Sequence, residues 1–392
     1  MLGSSTLQYL SDIFWSASFW LPPNVKWSDI DPQKGYANPR DLLLPIPLAA
    51  VFLCVRYICE RYWFAPVGIT LGIKNTKRTK AVPNAKLEAA YAGKKKLKHR
   101  ELVALAKQLD WSERQVERWW RHRHAQDKPS TLVKFCESSW RWLYYTYSFI
   151  YGIYCLWDKP WLWDINECWY TYPYQKVTTD CWWYYMSSLA FYWSLAVSQF
   201  FDIKRKDFWQ MFIHHIATIS LMSFSWMCNL HRIGTLVLLV HDCADNLLEA
   251  AKLAKYANYQ KLCDGLFIIF TITWIVSRLG VYPFWVIRSI THDAPVIVAL
   301  FPAYYIFNSL LILLLGLHCI WTYFILKIAF KSLQAGQMEG DIRSSSSDDS
   351  LSEDLDHDSQ VGSKNQNLVG NGTVTAAAAV VAASAATTTA AD

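Results

Sequence analysis

Residues 212–249 read FIHHIATISLMSFSWMCNLHRIGTLVLLVHDCADNLLE. The stretch is apolar enough to lie in a membrane, yet it carries His214, His215, His241, Asp242, Asp245 and Glu249. An ionisable group at a helix centre in a bilayer costs from roughly 2.5 kcal/mol upward, so such groups mark a functional site by default. On a helix His214 and Thr218 share a face, and His215 points about 100° away. Asp242, Asp245 and Glu249, three and four apart, form one acidic stripe, with His241 one turn from Asp245. Only a few residues around Asn229–Arg232 separate the two apolar runs, which predicts adjacent antiparallel helices with imidazoles facing carboxylates.

Three uses are open to such a set. A carboxylate can fix the tautomer of an imidazole and raise its basicity, making it a general base or a nucleophile. Histidine and aspartate can ligate a metal, and a buried polar network can simply lock helices together. The chain has one His pair and no repeated HxxxH set, so no metal is expected, although a single zinc on two His and an Asp stays open.

The rest of the chain agrees with a membrane setting. Of its 392 residues 53% are hydrophobic and 16% aromatic, and 18% are charged, against about 25% charged in soluble domains. The 21 Trp and 22 Tyr suit membrane–water interfaces. This composition predicts an all-α polytopic membrane protein. Runs of about 20 apolar residues, the length a bilayer requires, occur near 42–62, 132–157, 181–201, 209–228, 233–251, 265–287 and 301–328. With seven spans, the basic clusters at 72–128, 204–206, 252–261 and 327–331 all fall on one side. The positive-inside rule then makes that side cytosolic and the N-terminus non-cytosolic.

Domains follow from these runs. Residues 1–41 are a non-cytosolic segment with a short interfacial stretch at Phe14–Leu21, and 42–62 are the first span, with Arg56 snorkelling near its end. Residues 72–128 hold 16 Lys/Arg against 6 Asp/Glu and three predicted helices, at 86–91, 100–109 and 112–124, the last opened by a Ser112–Gln115 capping box. Residues 131–330 carry the other six spans. Residues 332–392 are acidic and then Ala/Thr-rich, with too little apolar surface to fold. In this tail Ser345, Ser346 and Ser350 each precede an acidic residue by three positions, as acidophilic kinases prefer. The ten cysteines show no metal-ligand spacing. Cys168, Cys181 and Cys228 fall near the non-cytosolic side, and sequence assigns them no pairing. No cleavable signal peptide is expected.

The pattern HHxxTxxxxSFSWxxNxxRxGTLVLxxHDxxDxxLExxKxxxY, from His214 to Tyr256, resembles the Lag motif of ceramide synthases, and Cys263-Asp264 and Arg278-Leu279-Gly280 continue it. Residues 131–330 resemble the TLC-type membrane domain, and 72–128 the homeobox-like insertion of many animal members. The resemblance implies an endoplasmic-reticulum enzyme that transfers a fatty acyl group from acyl-CoA to the amine of a sphingoid base. Acyl-CoA would be a co-substrate and no cofactor is implied. The family's catalytic positions map to His214, His215, Asp242 and Asp245, with His214 as nucleophile or base and the carboxylates orienting the imidazoles. Thr218, Asn229, Arg232, His241 and Glu249 would support them. The segment before the last span, with Arg288, His292, Asp293 and Val298, would tune acyl-chain length. Such enzymes are commonly dimers, with their own kind or with other members.

Residues 115–123 look like a homeodomain recognition helix through Trp119, Trp120, Arg121, His122 and Arg123. His122 stands where the adenine-reading Asn is usual, which removes the side chain best suited to bidentate base readout. The block reads as a basic module for acyl-CoA or anionic lipid, as a structural or oligomerisation module, or as a DNA-binding unit using 94–100 as a nuclear signal. A non-catalytic, lipid-sensing membrane protein is the other functional class the sequence allows.

Overall fold

The computed structural model describes residues 8–9, 11–12, 14–73, 81–92, 97–127, 129–203 and 205–335. The serine-rich tail and residues 94–96 of the basic run lie outside them. Among the described residues every regular element is helical.

Two compact units are present. The first, whose described residues lie before 78 and between 129 and 335, has a long helix at each of the seven predicted positions. Helix α1 runs through Pro45–Cys59, a wider π turn at Glu60–Phe64, and Ala65–Thr70. The second unit supplies α2 (Ala85–Ala92), α3 (His99–Leu109) and α4 (Glu113–Gln126). The first unit resumes with α5 (Thr131–Leu156), α6 (Thr179–Ser198), α7 (Phe208–Met227) and α8 (His231–Tyr256). It closes with α9 (Gln260–Trp274, continuing through π-helical Ile275–Ile287) and α10 (Ala303–Ala335).

Helix α8 is central, packing on α5, α9 and the π-helical stretch, with lesser contacts to α6 and α7. Its close approach to α6 depends on Gly234, where a Cβ would come within 2.8 Å of the Tyr185 hydroxyl. The turn from α7 to α8 is clamped by Asn229, left-handed at φ 59°. Its side chain accepts from Ala37 N (3.2 Å) and donates to the carbonyls of Pro173 (2.6 Å) and Gln175 (2.8 Å). Arg232 reaches the Glu167 carbonyl at 2.6 Å and covers the Trp161 ring.

Among the described residues, three helices are long and apolar enough to cross a membrane: Pro39–Thr70, Gln260–Ile297 and Ala303–Ser332. Their outward faces carry bare apolar side chains, among them Ile58 (54% exposed), Ile272 (59%) and Phe284 (74%). A soluble surface rarely gathers so much apolar area.

Two expectations are corrected. Arg56 does not snorkel: both of its Nη atoms bind Asp202 (2.7 and 3.1 Å) and its Nε binds Glu60 (2.7 Å). That pairing compensates the charge inside the bundle, and α1 runs on to Thr70 rather than ending at 62. In the segment at 288–299, π-helical Ser289–Asp293 and helical Ala294–Ile297 extend α9. The stretch at Phe14–Leu21 is only partly interfacial, because Trp20 and Leu21 are fully buried and Trp20 packs on Phe224 and Phe307.

In the second unit Leu87, Leu102, Ala106, Val116, Trp119 and Trp120 form the core. The predicted capping box forms, Ser112 Oγ accepting from Gln115 N (3.3 Å) and Gln115 Oε1 from Ser112 N (2.8 Å). Arg123 bridges Glu88 (2.9 Å) and Asp127 (2.5 Å) and lies over Tyr91. Hydrogen bonds donated to Asp127 and Glu88 hold the guanidinium pKa above its ordinary value. Burial works against the Asp127 carboxylate, but its bonds from Arg123 and Tyr91 outweigh that and keep its pKa low. Trp119→Ala should cost this unit about 3–5 kcal/mol through lost burial and a cavity. Limited proteolysis of the full-length protein would show it as faster cutting between residues 81 and 127.

Candidate active site

A cavity inside the first unit is walled by α6, α7, α8, α10 and the segment from Ile290 to Phe301. Its lining is almost wholly apolar or aromatic, and most of its polar atoms are satisfied within the protein. Tyr172 donates to the Cys228 carbonyl (3.0 Å), Tyr304 to the Ile290 carbonyl (3.0 Å), Trp169 to Ser289 Oγ (2.8 Å), and Ser225 is bonded to Tyr185. Three lining residues differ. His214 Nδ1, Thr218 Oγ1 and His241 Nε2 are buried without a hydrogen-bond partner among the described residues. Buried polar groups are nearly always paired, and these three border one apolar cavity, where a ligand's polar group would pair them.

Each is placed by its helix. His214 and Thr218 share the cavity face of α7, with the His214 ring packed edge-on against Trp321 (5.4 Å) and near Tyr192 (6.3 Å). His241 Nδ1 lies 2.6 Å from the Val237 carbonyl. A carbonyl only accepts, so Nδ1 carries the proton and Nε2 is left as a lone-pair acceptor.

His215 turns away from the cavity and is 4% exposed. Its Nδ1 is 2.9 Å from Gln199 Oε1, while Gln199 Nε2 donates to the Phe208 carbonyl (2.7 Å). That second bond fixes the amide orientation, so His215 is also the Nδ1–H tautomer.

The carboxylates are not set against the paired imidazoles. Asp242 accepts from Ser148 of α5 (2.6 Å), Asp245 from Arg278 (3.1 Å), and Glu249 binds Lys252 (2.6 Å). The helical period explains the difference from expectation. The stripe of Asp242, Asp245 and Glu249 faces α5 and α9, and His241, about 100° from Asp242 on the helix, takes the cavity side. Arg278 links the two faces. It donates to the His241 carbonyl (2.5 Å), to His318 Nε2 (3.3 Å) and to Asp245, and it lies over Trp274.

Asn229 and Arg232 hold the α7–α8 turn, away from these groups. Of the proposed length-tuning residues Val298 lines the cavity, with Ile290, Ala294 and Phe301 beside it. Arg288 and His292 are exposed, Asp293 is half-buried, and none of the three reaches the cavity. Sequence reasoning missed His318, fully buried with its ring 5.0 Å from His241. As the lone ionisable residue in an apolar run it could have been flagged by the rule that marked the opening stretch. Ser148 and Gln199 carried no signal, being ordinary polar residues on other helices.

The comparisons agree with this architecture. Residues 134–327 match the TLC domain family model and residues 76–129 the homeodomain model. Ceramide synthase 5 of Homo sapiens is 47% identical over 345 residues, covering 87% of this chain and 88% of that protein. Ceramide synthase 4 of Homo sapiens is 41% identical, covering 89% of each. Ceramide synthase hyl-1 of Caenorhabditis elegans is 35% identical, covering 85% of this chain and 84% of its own length. With this similarity running through both the membrane domain and the basic insertion, the chain belongs to the ceramide synthase family.

Proposed function

We propose that the chain transfers a fatty acyl group from acyl-CoA to the amine of a sphingoid base, giving dihydroceramide or ceramide and free CoA. The observation that carries this reading is the group of unpaired His214, Thr218 and His241 atoms on an otherwise apolar cavity. Such a cavity takes a long alkyl chain and leaves its reactive end against two imidazoles.

In this mechanism an imidazole nitrogen of His214 attacks the thioester carbonyl and the CoA thiolate leaves, making an acyl-imidazole. The neutral amine then attacks that carbonyl and His214 is released as the amide forms. His241 Nε2 takes the proton that the amine must lose. Thr218 Oγ1 positions the carbonyl. His215, outside the cavity, sets the position of His214 along α7, and Asp242, Asp245 and Arg278 hold α8 with His241 toward the cavity. Full-length protein incubated with acyl-CoA alone should gain the mass of one acyl group, and His214→Ala should not. If mass is gained only when the sphingoid base is also present, or never, direct attack by the amine replaces the covalent route.

The setting proposed is the endoplasmic-reticulum membrane. All seven long helices cross it, residues 81–127 and the C-terminus are cytosolic, and the N-terminus is lumenal. The basic unit attracts acyl-CoA or anionic lipid toward the bundle. The ties of Arg123 to Glu88 and Asp127 favour this over DNA readout. A dimer with itself or another ceramide synthase is the proposed assembly.

Val298 is the length-tuning position this geometry supports. Val298→Trp should move the preferred donor to a shorter acyl chain, whereas Arg288→Ala and His292→Ala should leave the preference unchanged. Competition assays with donors from myristoyl to cerotoyl would decide it, and an unaltered Val298→Trp profile would refute this role.

A further inference from the structure

Cys155 and Cys181 lie where α5 ends and α6 begins, 0% and 1% exposed, with their sulfurs 3.4 Å apart. Other contacts hold the same two helix ends together. A Cβ on Gly152 would come within 2.7 Å of the Tyr184 hydroxyl, so the glycine admits α6 at close range. The Tyr151 hydroxyl donates to the Asp180 carbonyl (3.3 Å), and the Lys159 ammonium meets Asp180 Oδ2 (3.0 Å). Disulfide sulfurs sit about 2.05 Å apart, so the pair needs to close by only about 1.4 Å, between ends already fixed on both sides.

Asp180 beside these thiols suggests a metal site as the competing reading. Both of its oxygens are engaged, Oδ2 by Lys159 and Oδ1 by the Cys181 backbone N–H (2.9 Å). Two thiolates alone fall short of the four ligands that a structural zinc takes.

We propose that Cys155 and Cys181 form a disulfide that ties α5 to α6. The inference rests on the topology above, which puts residues 157–178 on the lumenal side, where thiols are oxidised. The thiolate of one cysteine attacks a sulfur of an external disulfide, either oxidised glutathione or a dithiol–disulfide oxidoreductase. The second thiolate then displaces that mixed disulfide. Two protons and two electrons leave the pair, and the oxidant ends as two thiols. Burial of both sulfurs means the bond forms before the helix ends pack, and it then shields the bond from reductant.

Full-length protein from microsomes, denatured without reductant and labelled with a maleimide polymer, should show two thiols fewer than the ten cysteines of the chain. After reduction all ten should label. Cys155→Ala and Cys181→Ala should each label at every remaining cysteine with or without reductant, and non-reducing peptide mapping should recover a Cys155–Cys181 cross-link. A glycosylation sequon inserted beside the exposed Trp163 reports the topology separately. Ten free thiols with a glycosylated sequon would overturn the disulfide and leave the topology standing. Ten free thiols with an unglycosylated sequon would overturn both. Protection released by a chelator instead of a reductant would replace the disulfide with a metal site.

Discussion

His214→Ala should lower dihydroceramide formation by at least about 100-fold, the lower end of what a positioned proton-transfer group contributes and well below what loss of a nucleophile removes. The effect should be confined to chemistry. His214 borders an existing cavity on α7, so truncating its ring enlarges a space the fold already tolerates. The thermal midpoint should therefore change little while product falls. His241→Ala should also lose most activity but should still accept an acyl group from acyl-CoA, because in the proposed sequence it acts only when the amine arrives. His215→Ala should be milder than either, since its ring faces Gln199 and not the cavity. Mass-spectrometric assay of product and of acylated protein across the three variants separates these roles. Retention of more than a tenth of wild-type activity by His214→Ala would remove it from the centre of the mechanism.

The helix positions were legible because long apolar runs in a chain so poor in charge have few other fates. The stretch that brings imidazoles to the cavity was legible for the same reason, because ionisable groups such as His214 and His241 are costly in such runs. What sequence spacing could not give was the direction in which α8 turns its acidic stripe. That depends on Ser148, Arg278 and the packing of α5 and α9, all distant in sequence. Periodicity therefore grouped Asp242, Asp245 and Glu249 correctly but aimed them at the wrong helix. Helix α9 runs on through Pro283 and Pro295, although proline breaks helices in soluble proteins. In a bundle without competing water, wider π turns and neighbouring groups satisfy the backbone around proline, and the helix continues.

Arg56 was misplaced by the same kind of omission, since its partner lies far along the chain, and the pair now carries a large expected effect on the stability of the first unit. Asp202, just beyond α6, accepts both Nη atoms of Arg56, the Arg141 guanidinium (3.1 Å) and Ser198 Oγ (3.3 Å). Glu60 holds Arg56 from the other side and Glu137 holds Arg141 at 2.6 Å. Removing one partner of a buried pair costs about 3–5 kcal/mol because the remaining charge stays desolvated. Here each arginine keeps a second carboxylate, so Asp202→Ala should fall near the lower bound, about 3 kcal/mol. At roughly 2 °C per kcal/mol for a unit of this size, the melting midpoint of the full-length protein in detergent should drop by several degrees. Asp202→Asn keeps shape and hydrogen-bonding capacity and should lose less. Adding Arg56→Met to Asp202→Ala should cost less than the two single losses summed, because the pair's interaction is lost only once. An additive double variant would deny the coupling. Gln199, which orients His215, lies one helical turn before Asp202, so loosening this end of α6 should also reach α7 and the proposed nucleophile His214. Asp202→Ala should therefore lose more activity than its melting temperature alone accounts for, measured well below its midpoint.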